Sequence, residues 1–285
     1  MAERALEAWD LRADAVELVA LQENAVFRVR AADGPSYALR IHRSGYHDLP
    51  ELCSELEWTS ALSRAGIGVP APIPTRDGRG YAAVPVPGSG QVRYVGVVEW
   101  VDGVQLESAI AREEDEAAVG RHFEQLGRIA ARIHDQAVDW PIPAGFTRHA
   151  LDADGLLGER PWWGRFWEVP ELEDPERKLL SATRESLHAA LTAHGRDGAT
   201  YSLIHADLHP RNVLVDGERL HVIDFDDAGF GWHAYELAVA LFSYQGQACF
   251  EAAREGLIAG YRSERRLDES TLELLPTFLL IGAWP

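Results

Sequence analysis

The stretch His205-Ala-Asp207-Leu-His-Pro-Arg-Asn212, followed at 222–226 by Val-Ile-Asp224-Phe-Asp226, decides how the rest of the chain is read. It sets an Asp, an Asn five positions later, and a second Asp behind a short apolar run. Those are the parts that phosphoryl transfer demands: a carboxylate to accept the proton of an attacking hydroxyl, and hard oxygen ligands for Mg²⁺. Asp207 takes the first role in this reading; Asn212 and Asp224 take the second. Between the two ligands, Val213-Leu-Val215, the turn residues Asp216-Gly217 and His221-Val-Ile223 spell a β-hairpin, which would bring both to one edge. Asp226 is either a further metal ligand or a solvated carboxylate. Asp227 reads as surface.

Upstream of this region, residues 25–30 and 36–42 alternate as strands within a strand-like stretch, 16–42, and flank a turn at Asp33-Gly34. Apolar residues at helical spacing (Leu52, Leu56, Leu62) predict a helix over 49–65 that stops at Gly66. A proline-rich connection, 69–74, precedes two strand-like runs at 81–86 and 93–100. Val101-Asp102-Gly103 then reads as a hinge, where the strand pattern breaks and helical spacing begins. Helices are predicted over 113–138, 175–194, 234–242 and 249–262, with an irregular insert rich in Trp, Pro and Gly over 140–174. The apolar end, 279–285, predicts a truncated chain or a buried C-terminus.

Composition narrows the classes. The 285 residues carry a net charge of −18, which opposes nucleic-acid binding and suits either solubility or cationic ligands. No apolar run is long enough to cross a bilayer and no secretory leader is visible, so a cytoplasmic location is expected. Cys53 and Cys249 are far apart without metal-ligand spacing and read as buried free thiols. Lys178 is the only lysine, which rules out a Gly-rich phosphate loop ending in Lys and requires an arginine wherever phosphates are held.

In its order of motifs the chain resembles the aminoglycoside phosphotransferase and choline kinase-like family of the protein-kinase-like fold. It stands near the group of homoserine kinase of the second type and a stress-response Ser/Thr kinase. The motifs that carry the likeness are His-x-Asp-x-x-x-x-Asn at 205–212 and Asp-Phe-Asp at 224–226, with most of the chain following in register. The resemblance implies an α+β, bilobal fold with a small β-rich N-terminal lobe over 1–100, a hinge at 101–103 and a larger, mainly helical C-terminal lobe over 104–285. It implies ATP and Mg²⁺ as cofactors and a small, amine-containing molecule bearing a hydroxyl (aminoglycoside, amino alcohol or homoserine type) as acceptor.

Carried onto this sequence, the family pattern gives Arg40 in Tyr-Ala-Leu-Arg-Ile the place of the strand lysine. A guanidinium keeps the charge and offers a planar fork to phosphate oxygens. Arg28 and Arg43 are weaker candidates. Glu55 is the expected partner of Arg40, with Glu51 and Glu57 as competitors. Asn24 stands where a loop would approach phosphates, and the backbone of Glu99 and Val101 where an adenine edge would dock. His205 braces the catalytic loop. Trp162, Trp163 and Trp167 form either an aromatic wall for an ammonium group or packing of the insert. Glu236 contacts substrate or caps the catalytic loop. Alternatives are a stress-response-type protein kinase, for which 226–236 offers no Ser or Thr, and a non-catalytic nucleotide-binding module. A zinc hydrolase built on His205 and Asp207 lacks a third ligand in phase.

Overall fold

The computed structural model describes residues 1–32 and 34–282; the expected turn residue Asp33 and the last three residues of the apolar C-terminus lie outside the described residues. The chain divides into two compact units. The first comprises Met1–Gly103, Ile142–Thr147 and Leu214–Ile223; the second comprises the remainder. Both units are therefore discontinuous, whereas the division at 101–103 read from the sequence treats each part as one stretch.

The first unit opens with a helical turn, α1 (Ala2–Ala5), and continues through β1 (Ala13–Leu21), β2 (Ala25–Ala31), β3 (Ser36–Ile41), α2 (Leu49–Arg64), β4 (Tyr81–Pro85) and β5 (Val92–Glu99). The strands form an antiparallel sheet in the order β1-β2-β3-β5-β4. One face is closed by Trp9, Val29, Leu39, Val95 and Val97, all at or near zero exposure. A strand precedes the pair expected at 25–42. Most of β1 is exposed, so its sequence carries little of the alternation that marks a half-buried strand. Helix α2 begins with a capping box: Asp48 accepts from the Glu51 N–H, and the Glu51 carboxylate returns to the Asp48 N–H. Its inward stripe, Leu52, Trp58 and Leu62, is buried.

The second unit runs through β6 (Val104–Gln105), α3 (Leu106–Ile110), α4 (Glu116–Asp139), β7 (Ala150–Leu151), α5 (Ala153–Leu157), α6 (Asp174–His194) and β8 (Tyr201–Ile204). After a hairpin, β9 (Val213–Asp216) and β10 (Arg219–Val222), come β11 (Gly229–Trp232), α7 (His233–Leu241), α8 (Phe250–Glu264), α9 (Glu269–Leu272) and α10 (Leu275–Gly282). Hairpin residues 214–223 group with the first unit. Asp115 caps α4 by accepting from the Ala117 N–H, which starts that helix three residues later than the apolar spacing indicates. Helices α4 and α8 approach at their backbones: a Cβ at Gly127 would lie 2.1 Å from the Leu257 carbonyl oxygen, and one at Gly260 1.9 Å from that of Glu124. Larger residues are excluded there. Strand β11 pairs parallel with β7 and antiparallel with β8, and so ties the insert to the strand that leads into residues 205–212. Among the described residues, no helix is long and apolar enough to cross a membrane.

Candidate active site

Strand β8 ends at Ile204 and delivers His205, wholly buried, into the loop. The next residue turns sharply: Ala206 has φ +66°, a left-handed conformation that an L residue adopts only when its surroundings hold it there. Glu236 on α7 does so. It has no exposed surface, and its Oε1 and Oε2 accept the main-chain N–H groups of His205 (2.8 Å) and Ala206 (2.7 Å). His205 Nδ1 accepts the Asp207 N–H at 3.2 Å, and its ring lies against Phe225 with centroids 4.5 Å apart.

This bracing presents Asp207 to solvent at half-burial. Asn212 Nδ2 donates to Asp207 Oδ2 at 2.6 Å and to its main-chain oxygen at 3.0 Å; His209 Nε2 lies 3.2 Å from Asp207 Oδ1. Burial, then the charges of Asp227 and Asp224, hold the Asp207 carboxyl up at about 8, against the opposing effect of the Asn212 hydrogen bond. Burial pushes His209 below the usual imidazole range.

Asp224 also has positive φ, +66°, and is exposed. Behind it, Arg148 is buried and reaches the next turn: its guanidinium donates to the main-chain oxygens of Phe225, Asp226 and Ala228. Asp226 is 5% exposed, which removes the solvated alternative. Asp227 is half-buried and near enough for its charge to act on Asp207, so it is no plain surface residue.

The donors suit a hard divalent cation. Asn212 spends its amide nitrogen on Asp207, which leaves the amide oxygen as an acceptor. The like-charge crowding of Asp207 by Asp224 and Asp227 is what a cation would relieve. Among the described residues, no group of three His, Cys, Asp or Glu side chains is able to hold a metal on its own. A metal here would take the asparagine and further oxygens from outside the chain.

In the first unit, Arg40 on β3 faces Glu55, with NH1 3.9 Å from Oε1 and both side chains largely buried. The competitors are occupied or turned out: Glu51 closes the cap of α2 and lies 3.3 Å from His47, and Glu57 is exposed. Arg28 and Arg43 are likewise drawn elsewhere. Arg28 contacts Asp102 at 3.3 Å and stacks over Trp100, while Arg43 pairs with Glu23 at 3.0 Å and lies over Tyr46. Asn24 is buried, and its Oδ1 accepts the Arg43 N–H at 2.8 Å, which fixes the β1–β2 turn. Glu99 ends β5 with its N–H bonded to the Ala71 oxygen; Val101 follows, next to Asp102.

The tryptophans do not make one wall. Trp162 stacks on His149 (3.8 Å), Trp163 is 48% exposed and stacks loosely on Tyr235 (6.1 Å), and Trp167 is buried under Arg184. Trp167 is packing, because its ring is enclosed. Glu236 is no substrate contact either, since both of its oxygens are spent on the loop. The insert acids are taken up locally: Asp152 caps α5 and meets Arg196, and Asp154 meets His188. Both cysteines are free, but Cys53 is exposed and Cys249 half-buried, so neither is the buried thiol expected. Sequence reasoning missed Arg148, which has no motif around it. It also missed the buried stack of His134 on His233 (4.0 Å), with His134 Nδ1 2.8 Å from the Tyr261 hydroxyl.

Residues 14–270 match the phosphotransferase enzyme family. The chain is 34% identical to a solved microcompartment-associated aminopropanol kinase, with a TM-score of 0.85 over 99% of this chain and 87% of the other. It is 27% identical to the amicoumacin kinase of Bacillus subtilis (93% of this chain, 76% of the relative) and 27% identical to the homoserine kinase of Rhizobium meliloti (89% and 71%). A spectinomycin phosphotransferase solved with ADP and spectinomycin, 16% identical, shares the fold with a TM-score of 0.61 over 99% of this chain and 84% of the other.

Proposed function

The chain belongs to the phosphotransferase enzyme family, and from that premise we propose that it moves the γ-phosphoryl group of ATP, with Mg²⁺ bound, to a hydroxyl of a small amine-bearing molecule of the amino alcohol kind. The observation that carries this reading is the 2.6 Å hydrogen bond between Asn212 Nδ2 and Asp207 Oδ2, in a cluster that also feels the Asp224 charge. The names of the similar proteins, kinases of aminopropanol, homoserine and amicoumacin, support a small-molecule acceptor over a protein one.

Asp207 orients the acceptor hydroxyl and takes its proton at a carboxylate oxygen. A carboxyl raised by burial and like charge is a stronger base than an exposed one. Asn212 fixes the Asp207 rotamer through Nδ2 and offers its amide oxygen, with the Asp224 carboxylate, to the metal; the buried Asp226 is a further candidate ligand. When bound, the divalent ion supplies positive charge against the phosphate oxygens. Arg40, steadied by Glu55, supplies the phosphate-binding cation that the lack of a suitable lysine requires. Asn24 shapes the loop that approaches the phosphates, and the backbone of Glu99 and Val101 takes the adenine edge. His205 and Glu236 hold the loop, and the exposed ring of Trp163, with Trp162 beside it, is available to the acceptor's ammonium group. ATP and free Mg²⁺ are reagents of the cytoplasm, and the chain is assigned there.

A thermal-shift titration with ATP tests the binding half of this reading. A rise in Tm that requires Mg²⁺ and is lost in Asp224→Ala is expected. A rise of equal size with and without Mg²⁺ would contradict the metal roles.

A further inference from the structure

Residues 224–227 set three aspartates, Asp224, Asp226 and Asp227, into one short turn. Such a turn is poorly suited to keeping its own shape. Asp224 holds a left-handed φ of +66°, and the charges of Asp227 and Asp224 both act on Asp207. Like charges so close together push a loop open unless its main chain is held.

The hold comes from a segment 77 to 80 residues earlier. Strand β7 pairs parallel with β11, with Ala150 opposite Phe230 and Leu151 opposite Gly231. That register, continued two residues back, sets Arg148 opposite Ala228, and the Arg148 Nε–H donates to the Ala228 main-chain oxygen. Its Nη2 donates to the main-chain oxygens of Phe225, at 3.2 Å, and of Asp226. The His149 oxygen accepts the Phe230 N–H at 2.9 Å, and a Cβ at Gly229 would lie 2.8 Å from that same oxygen. The two segments therefore meet at their backbones. Trp162 stacks on the His149 ring at 3.8 Å and steadies the earlier segment in turn.

The residue type matters. A guanidinium directs its N–H groups along fixed lines in one plane, so Nε and Nη2 engage oxygens three residues apart. A lysine ammonium presents a single point and could not span them.

Charge and geometry pull in opposite directions at this place. A buried cation close to metal ligands opposes a divalent ion, so by charge alone its removal would tighten metal binding. Holding the ligands in place does the reverse, and groups that orient a metal's ligands are worth roughly 10–100-fold in metal affinity. Arg148 bonds to the main chain on either side of Asp227 and at Asp226 itself, which makes orientation the larger effect. We propose, resting on the phosphoryl-transfer reading of this loop, that Arg148 is a positioning residue for the divalent cation: it holds the turn at 225–228 in the form that takes the ion, before the ion arrives.

The test compares ATP affinity in excess Mg²⁺ with ATP affinity in EDTA, by isothermal titration on the full chain. In the parent, the ratio of the two measures what the metal adds. Arg148→Met should reduce that ratio roughly tenfold or more and leave the EDTA affinity unchanged. Arg148→Lys keeps the charge without the fork and should lose as well; it takes over if the Met variant does not fold. Both affinities weakened alike would mean a structural residue only, and would overturn the proposal. So would a ratio unchanged in either folded variant. A larger ratio in Arg148→Met would reduce Arg148 to a charge that repels the ion. A parent with equal affinities in Mg²⁺ and EDTA would instead overturn the phosphoryl-transfer reading, and this role with it.

Discussion

Glu236 holds Ala206 in a left-handed turn: its buried Oε2 accepts the Ala206 N–H at 2.7 Å, while Oε1 takes the neighbouring N–H of His205. Two main-chain donors thus depend on one carboxylate with no exposed surface. Glu236→Gln keeps the shape but turns an amide NH₂ toward one of those donors. Stability should fall by roughly 2–4 kcal/mol in urea melts. Turnover should fall at least tenfold with little change in KM, because the damage is to the position of Asp207 and not to a ligand contact.

Asp207 links base chemistry to stability. Its folded-state carboxyl titrates near 8, well above the ordinary value of 3.8. The folded protein therefore holds a proton that the unfolded chain releases over that window, and stability is lost as pH rises from about 4 through about 8. Asp207→Asn should remove that slope and melt higher than the parent at pH 8 in metal-free buffer, while transfer drops by roughly 10²–10⁴-fold. A variant that melts lower at pH 8 would contradict the like-charge account.

The histidine pair works in the opposite sense. Burial, assisted by the charge of Arg265, holds His134 down at about 3, and burial holds His233 well below 6.5. The unfolded chain binds protons that the folded one refuses, so stability is lost as pH falls below about 6.5. His134→Phe should flatten the acid limb of a Tm-against-pH curve, whatever it does to the Tm at neutral pH.

The arginines of the sheet should separate by partner. Arg40→Ala should weaken ATP binding roughly tenfold or more, the size of a lost charge-assisted contact. Arg28→Ala should leave it unchanged, since Arg28 is committed to Asp102 and Trp100. Equal effects in both variants would remove Arg40 from the phosphate role.

The proposed triplet could be read because its residues are local in sequence. Asp207 and Asn212 share one loop, and a short hairpin leads to Asp224, so residue type and spacing carry the message. The lone lysine, Lys178, called for an arginine in its stead, and the resemblance to the family pattern pointed to Arg40. Glu55 was the partner implied by the family pattern, and the cap of α2 shows why Glu51 does not compete. Arg148 was invisible: its hydrogen bonds span 77 to 80 residues and end on main-chain oxygens, which leave no trace in side-chain identity. The tryptophans misled for a related reason. Local density shows that rings are present, but only packing shows that Trp167 faces inward while Trp163 remains at the surface. Glu236 had two readings in the sequence, and burial removed one.

The most direct test is transfer of the labelled γ-phosphoryl group from ATP to a panel of aminopropanol, homoserine and other small amino alcohols, run beside Asp207→Asn. The account predicts a phosphorylated acceptor from at least one panel member, dependent on Mg²⁺ and abolished in the variant while ATP binding persists. Mg²⁺-independent transfer, or transfer that survives the loss of the Asp207 carboxylate, would contradict it.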